Sequence, residues 1–282
     1  MSAAAESWPA PAKLNLFLHV VGRRADGYHL LQTVFQLIDL CDRLWIEPTR
    51  APAIRRPRGP AGVPEGRDLA VRAARLLQAR AGVCRGAEIR IEKRIPAGGG
   101  LGGASSDAAT VLVALDRLWG LDMGIDALAA LALELGADVP VFVHGRSAWA
   151  EGVGERLEPL ALGERWYAIV TPPVSVSTAE VFADPALTRD CPPITISHFL
   201  AGGGRNVCEP VVRRRWPLVG EALDWLGRRG AARLTGTGAS VYAAFACADE
   251  ARAALAGLPA GWRGFVVRGL DRSPLRERAA RG

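Results

Sequence analysis

The sequence predicts an α+β protein. Three observations predict it. Hydrophobic residues make up 49% and charged residues 23% of the 282 positions, the balance of a chain that folds around a sizeable core. Strand-like stretches come first and helix-like ones follow, while the second half mixes the two. A glycine-rich run stands between one strand and one helix without the repeating alternation of a doubly wound sheet. A chain of this length makes one large domain or two modest ones, and a boundary is expected near 152–164.

In chain order, residues 13–21 are apolar-rich and partly alternating, which predicts a strand. Residues 33–38 and 43–47 predict two more, with a turn at 39–42. The Pro-, Arg- and Gly-rich stretch 49–66 reads as an exposed loop. Asp68 can cap a helix whose apolar face is Leu69, Ala73, Leu76 and Leu77, stopped by Gly82. Residues 87–93 alternate as a half-buried strand does. Helices are expected from about Ser105 to Trp119, ended by Gly120, and over 125–135. Gly136 breaks the latter, and Pro140 suits the first turn of a short helix. Strands are expected at 147–152 and 166–171, then loop and short helix to Asp184. Residues 207–227 read as helical, broken or kinked at Pro217. Strands at 232–234 and 240–246 flank the turn TGTG, a helix covers 249–256, and a last strand 264–267.

Residues 1–10 lack the basic stretch and apolar run of a leader, and no window holds the ~18 uninterrupted apolar residues of a spanning helix, so a cytoplasmic protein without a membrane partner is expected. Five cysteines and four histidines are scattered, which suggests reduced thiols and no metal cluster. The net charge of +6 suits a phosphate-rich ligand, but the basic residues form no stripe interleaved with aromatics, so no nucleic-acid partner is expected. Of 35 basic residues only Lys13 and Lys93 are lysines. Where arginine serves almost everywhere, a lysine marks a place that wants a compact ammonium, unless the two survive by chance.

The run PAGGGLGGASS places Pro96, Ala97, Gly98, Gly99, Gly100, Leu101, Gly102, Gly103, Ala104, Ser105 and Ser106 between a strand and a helix. Glycines free the backbone for φ > 0 and close approach to a ligand, and the helix N-terminus adds amides and partial positive charge. This is a phosphate cradle in physical terms. It is not a P-loop, because no Lys-Ser/Thr follows the last glycine. A dinucleotide GxGxxG match at Gly98, Gly100 and Gly103 lacks the second strand with a terminal acid.

PAGGGLGGASSDAA (96–109) resembles the central motif of the GHMP kinases. PAKLNLFLHVVGRRADGYHLLQTVFQ (11–36), GADVPVF (136–142) and LTGTGASVYAAF (234–245) resemble, in order, the motifs of the diphosphocytidyl-methylerythritol kinases within that superfamily. The resemblance runs from Pro11 to about Leu275. It implies a domain of the ribosomal-protein-S5 type over 1–155, binding ATP and carrying catalysis, and a ferredoxin-like domain over 156–282 that contributes to the substrate cleft. It implies ATP with Mg²⁺ as phosphoryl source, no tightly held protein metal, and CDP-methylerythritol as acceptor at its C2 hydroxyl, in non-mevalonate isoprenoid precursor synthesis.

The residues alone leave Asp138 as either an N-cap or a proton acceptor; the resemblance implies the acceptor, with Lys13 beside it and the reacting hydroxyl. Tyr28 and Phe182 are implied to clasp the cytosine and His29 to hydrogen-bond its edge, against a plain packing role. Asn15 and Thr178 are further candidates at the substrate, and Lys93, Asp68 and Leu69 near the adenine and phosphates. Asp68 stands where many relatives have Asn. A kinase for mevalonate, homoserine or a sugar, or a nucleotide-binding module without catalysis, are the alternatives. The DGYH segment argues against the former, and the intact Asp138 and Lys13 against the latter.

Overall fold

A computed structural model describes residues 6–281. Residues 1–5, part of the stretch read for a leader, lie outside the described residues. Strands β1 (Trp8–Arg23) and β2 (His29–Thr49) form a long antiparallel pair. The Asp26-Gly27 turn joins them, with Gly27 at φ 90° and Asp26 Oδ1 accepting from the Tyr28 amide at 3.2 Å. The turn expected at 39–42 is absent, because β2 runs straight through. The pairing jumps there from Pro11 opposite Cys41 to Ala12 opposite Ile38, so the surplus residues make a bulge. Its polar groups are satisfied by distant backbone: Asp39 Oδ1 accepts from the Arg268 amide at 2.9 Å, and buried Asp42 accepts from the amides of Arg94 and Ile95.

The loop expected at 49–66 contains a short strand, β3 (Ile54–Arg58), and a 3-10 turn, Glu65–Arg67. β3 pairs in parallel with β4 (Gly86–Glu92) at the sheet edge, where Pro57 is tolerated. Helix α1 (Leu69–Ala81) is capped by Asp68 and closed by Gly82 at φ 63°, as read from sequence. Helices α2 (Gly103–Trp119), α3 (Ile125–Leu135) and α4 (Val139–His144) follow, the first starting two residues before the expected Ser105.

The second half runs β5 (Ala148–Gly152), β6 (Arg156–Pro159), β7 (Trp166–Thr171), α5 (Thr178–Ala183), α6 (Ile196–Leu200), α7 (Glu209–Arg215), α8 (Pro217–Gly227), β8 (Arg233–Leu234), β9 (Val241–Phe245), α9 (Ala248–Ala254), β10 (Arg263–Leu270) and α10 (Pro274–Arg281). The helix expected over 207–227 is split at Pro217. The strands β3-β4-β2-β10-β7-β9-β8 join in that order; β1 and β5 also pair with β2, and β6 with β5.

Two large cores flank this frame. One gathers α1 to α4 against β1, β2 and β4, and includes fully buried Leu275 of α10. The other gathers α7, α8 and α9 against β7 and β9, and takes in Leu18 and Val20 of β1. β1 therefore serves both cores; of its middle residues Lys13 and Asn15 line the cleft between them, while Ala12 and Leu14 turn the other way into a smaller buried cluster.

Candidate active site

A cleft of about 660 Å³ lies at the meeting of β1, the glycine run and the TGTG turn. Ligand pockets are typically of this size. Its wall is built from backbone. Gly98, Gly100 and Gly102 adopt φ of 65°, 71° and 74°, which only glycine takes without strain. Leu101 is fully buried and anchors the loop, while its carbonyl accepts from the Lys13 amide at 3.0 Å. The TGTG segment closes the other side: the amides of Ala239 and Ser240 donate to the carbonyls of Gly98 and Gly99 at 3.0 and 3.1 Å. At Gly100 a Cβ would sit 2.3 Å from the Thr235 carbonyl oxygen, so glycine is required for the two loops to touch. Pro96, Ala97, Gly103, Ala104 and Ser105 also line the cleft, whereas Ser106 is fully buried behind it.

Lys13 is buried, with its side chain 3% exposed, and its Nζ lies 3.2 Å from Asp138 Oδ2, whose side chain is 39% exposed. The anion thus faces the cleft while the cation sits beneath it. Asp138 occupies the N-cap position of α4 but makes no side-chain cap hydrogen bond. The capping role is therefore not what holds this residue. Asn15 Oδ1 accepts from Lys13 Nζ, and Asn15 Nδ2 donates to Thr33 Oγ1 at 3.0 Å, so Asn15 orients the ammonium. The Phe35 ring, 5.4 Å away at its centroid, flanks the same charge. The Lys13 stem packs closely against the glycine run: a Cβ on Gly102 would lie 3.2 Å from Lys13 Cε.

Lys93 is the second cleft cation. Its Nζ pairs with Asp42 Oδ2 and, at 2.7 Å, with Asp107 Oδ2. Burial pulls its pKa down, but Asp107 and Asp42 more than reverse this and hold it protonated. Burial pushes the Asp107 carboxyl up to about 7, against the pull of Lys93 and with the push of Asp42. Lys93 is therefore held by two carboxylates rather than free in solvent. Asp68 caps α1 through the Ala70 amide at 2.9 Å, and Arg56 Nε lies 2.8 Å from its other oxygen. Arg56 belongs to β3, and Pro60 and Val63 from the same Arg-Pro stretch, with Arg67 just after it, line the cleft beside Asp68 and Leu69. That stretch, uninformative in the sequence, forms one wall.

The other arm is arranged differently from the expected clasp. Tyr28 is 63% exposed and stands outside the cleft lining. His29 stacks directly on Phe182, with centroids 5.0 Å apart and planes 24° apart. Phe182 and Thr178 line the cleft, and Thr178 Oγ1 hydrogen-bonds Thr237 Oγ1 at 2.9 Å. Asp42, Asp107, Arg56, Thr33 and Thr235 were not anticipated. Thr33, Asp107 and Thr235 lie within the motifs quoted above but carry no distinguishing chemistry of their own there, and Asp42 and Arg56 lie outside every motif and act through partners remote in sequence.

Known proteins resemble this chain over most of its length. The GHMP kinases N terminal domain matches residues 68–146 and the GHMP kinases C terminal domain residues 194–264. The 4-diphosphocytidyl-2-C-methyl-D-erythritol kinase of Nitrosococcus oceani is 60% identical over 268 residues, covering 95% of this chain and 96% of that protein. The protein of the same name from Halorhodospira halophila is 58% identical over 95% of this chain and 94% of its own. A crystal structure of 4-(cytidine 5'-diphospho)-2C-methyl-D-erythritol kinase superposes with a TM-score of 0.81 at 37% identity, covering 94% of this chain and 99% of that one. The Methanococcus jannaschii mevalonate kinase, 16% identical with a TM-score of 0.68, shares the fold. A glycine cradle closed by a second glycine turn, a buried lysine under a cleft aspartate and these matches lead to one conclusion: the chain belongs to the GHMP kinases, in the 4-diphosphocytidyl-2-C-methyl-D-erythritol kinase family.

Proposed function

We propose that this protein transfers the γ-phosphoryl group of ATP to the C2 hydroxyl of 4-diphosphocytidyl-2-C-methyl-D-erythritol, a step of non-mevalonate isoprenoid precursor synthesis. The observation that carries the reading is Asp138, a carboxylate open to the cleft and held 3.2 Å from buried Lys13 at the edge of the glycine cradle. Phosphoryl transfer needs positioning, charge neutralisation and a place for the hydroxyl proton. Asp138 accepts that proton. Lys13 holds Asp138 in place and stabilises negative charge on the reacting oxygen. The cradle amides and the α2 N-terminus take the phosphates. Lys93, locked by Asp42 and Asp107, and the Asp68–Leu69 start of α1 form the nucleotide end. Asn15, Thr178 and Phe182 form the acceptor end of the cleft, with His29 stacked on Phe182 and the exposed Tyr28 next to it in sequence.

Magnesium belongs to this reading as the cation that arrives with ATP and neutralises charge on the transferring group. One donor fits such a cation: Ser106 Oγ is a buried hydroxyl without a hydrogen-bond partner at the start of α2. Ser105, which lines the cleft, and Ser106 behind it are the hydroxyls that would hold the cation, which would neutralise charge on the phosphates. We assign the catalytic domain to 1–155 and the ferredoxin-like domain to 156–282; the two cores follow this division for most of their residues, with Leu18 and Val20 joining the second core and Leu275 the first. No helix among the described residues is long and apolar enough to cross a membrane.

An ADP-release assay across acceptors tests the function. Turnover is expected with CDP-methylerythritol and inhibition by CMP. Equal turnover with mevalonate or homoserine would overturn the reading.

A further inference from the structure

Arg189 lies in the loop after α5 and is absent from every motif of the sequence, yet it makes four hydrogen bonds at the acceptor end of the cleft. Its Nη2 donates to the carbonyls of Phe182 and Asp184, each at 2.8 Å, and its Nη1 to the carbonyl of Leu187 at 3.0 Å. Its Nε donates to His29 Nε2 at 3.2 Å. The first three fix the guanidinium on the segment that carries Phe182. The fourth determines the state of the imidazole. A guanidinium has only donors and does not deprotonate, so His29 Nε2 must be the bare, accepting nitrogen. A neutral ring then carries its proton on Nδ1.

Protonation of His29 is opposed in the same place. Burial lowers its pKa below the ordinary value, and the charges of Arg189 and Arg23 lower it further. The ring is clamped against Phe182 as well, so its plane and its tautomer are both set before any ligand enters. Among the described residues no protein acceptor takes the Nδ1–H, which leaves it for a ligand.

We propose that Arg189 is a positioning residue that fixes His29 as the Nδ1–H tautomer, and that this donor makes the cleft prefer cytosine to uracil. The proposal rests on the cytidine reading given above. Cytosine offers a bare N3 to such a donor. Uracil carries hydrogen on N3, so two donors would face each other and one would be buried without a partner. Without Arg189 the imidazole is free to move its proton to Nε2 and present an acceptor instead, which suits the uracil edge as well.

The first test needs no substrate. In the ¹⁵N-histidine spectrum of the intact protein, with the His29 signals assigned by their loss in His29→Gln, the Nδ1–H tautomer is expected at neutral pH. An Nε2–H tautomer or an imidazolium overturns the proposal. The second test is kinetic. Arg189→Met keeps the stem and removes the donors; it should raise KM for the cytidine substrate about tenfold or more, the cost of an unmatched buried hydrogen bond. KM for ATP should stay unchanged, and the preference over the uridine analogue should shrink. Arg189→Lys retains a donor and should restore both tautomer and preference in part. A Met variant that keeps the wild-type tautomer and preference overturns the proposal. Because Met also removes three loop bonds, the tautomer of its folded form is the deciding readout. Wild-type protein that shows the Nδ1–H tautomer but no turnover of the cytidine substrate defeats the functional reading and leaves the tautomer assignment standing.

Discussion

Asp138 and Asp107 are both acidic groups beside a lysine, but their surroundings give them opposite tasks. Asp138 is open to the cleft and makes no cap bond, so Asp138→Asn should leave the melting temperature nearly unchanged while kcat falls about 10²–10⁴-fold. A near-normal kcat in the folded variant would remove Asp138 from the chemistry. Asp107 is sealed in, and burial lifts its carboxyl from 3.8 to about 7 despite Lys93. A carboxyl whose pKa rises on folding stabilises the fold while protonated; that contribution is whole below 3.8 and is lost as pH climbs through about 7. Asp107→Asn, which does not titrate, should flatten this decline between pH 4 and 7. Urea midpoints across that range check it, and parallel curves for the two proteins would count against it. The two lysines were legible in the sequence because they stand out against arginine, and both lie in the cleft. Their partners were not: Asp42 reads as a turn residue, and nothing local says that its carboxylate takes two amides and a lysine from more than fifty positions away.

At the scale of elements, the glycine run and its helix were readable because the physics is local: glycine permits the backbone, and the next residues propagate α2. Helix α1 with its Asp and Gly caps was readable for the same reason. Elements that owe their existence to a neighbour were not. β3 is polar and proline-bearing and becomes a strand only by pairing with β4; β6 exists by pairing with β5. The bulge in β2 carries the residues of a turn. The contact between the two glycine segments is the element-level feature most open to test. Gly100→Ala places a methyl 2.3 Å from the Thr235 oxygen, at a φ of 71° that alanine resists. It should cost about 1–3 kcal/mol of stability, the usual penalty for forcing a methyl into a packed site. It should also raise KM for ATP. Unfolding curves and ATP titration on one preparation measure both, and unchanged values would show that the loops separate without cost.

For the whole molecule, β1 and β2 act as a shared spine, and α10 returns the chain to the first core after the second is complete. Leu275 is fully buried there, so Leu275→Ala should cost about 2–5 kcal/mol, read as a lower melting temperature. A loss within about ±0.5 kcal/mol, the range of exposed positions, would mean that α10 only rests on the surface.

The return of α10 also bears on how the chain comes off the ribosome. Synthesis delivers α1 to α4 and their strands long before β10 and α10, yet β10 pairs with β2 and Leu275 closes the core those helices form. During translation the first core therefore waits, short of one flanking strand and one covering helix, while more than a hundred further residues are made. The half that is made first is finished last.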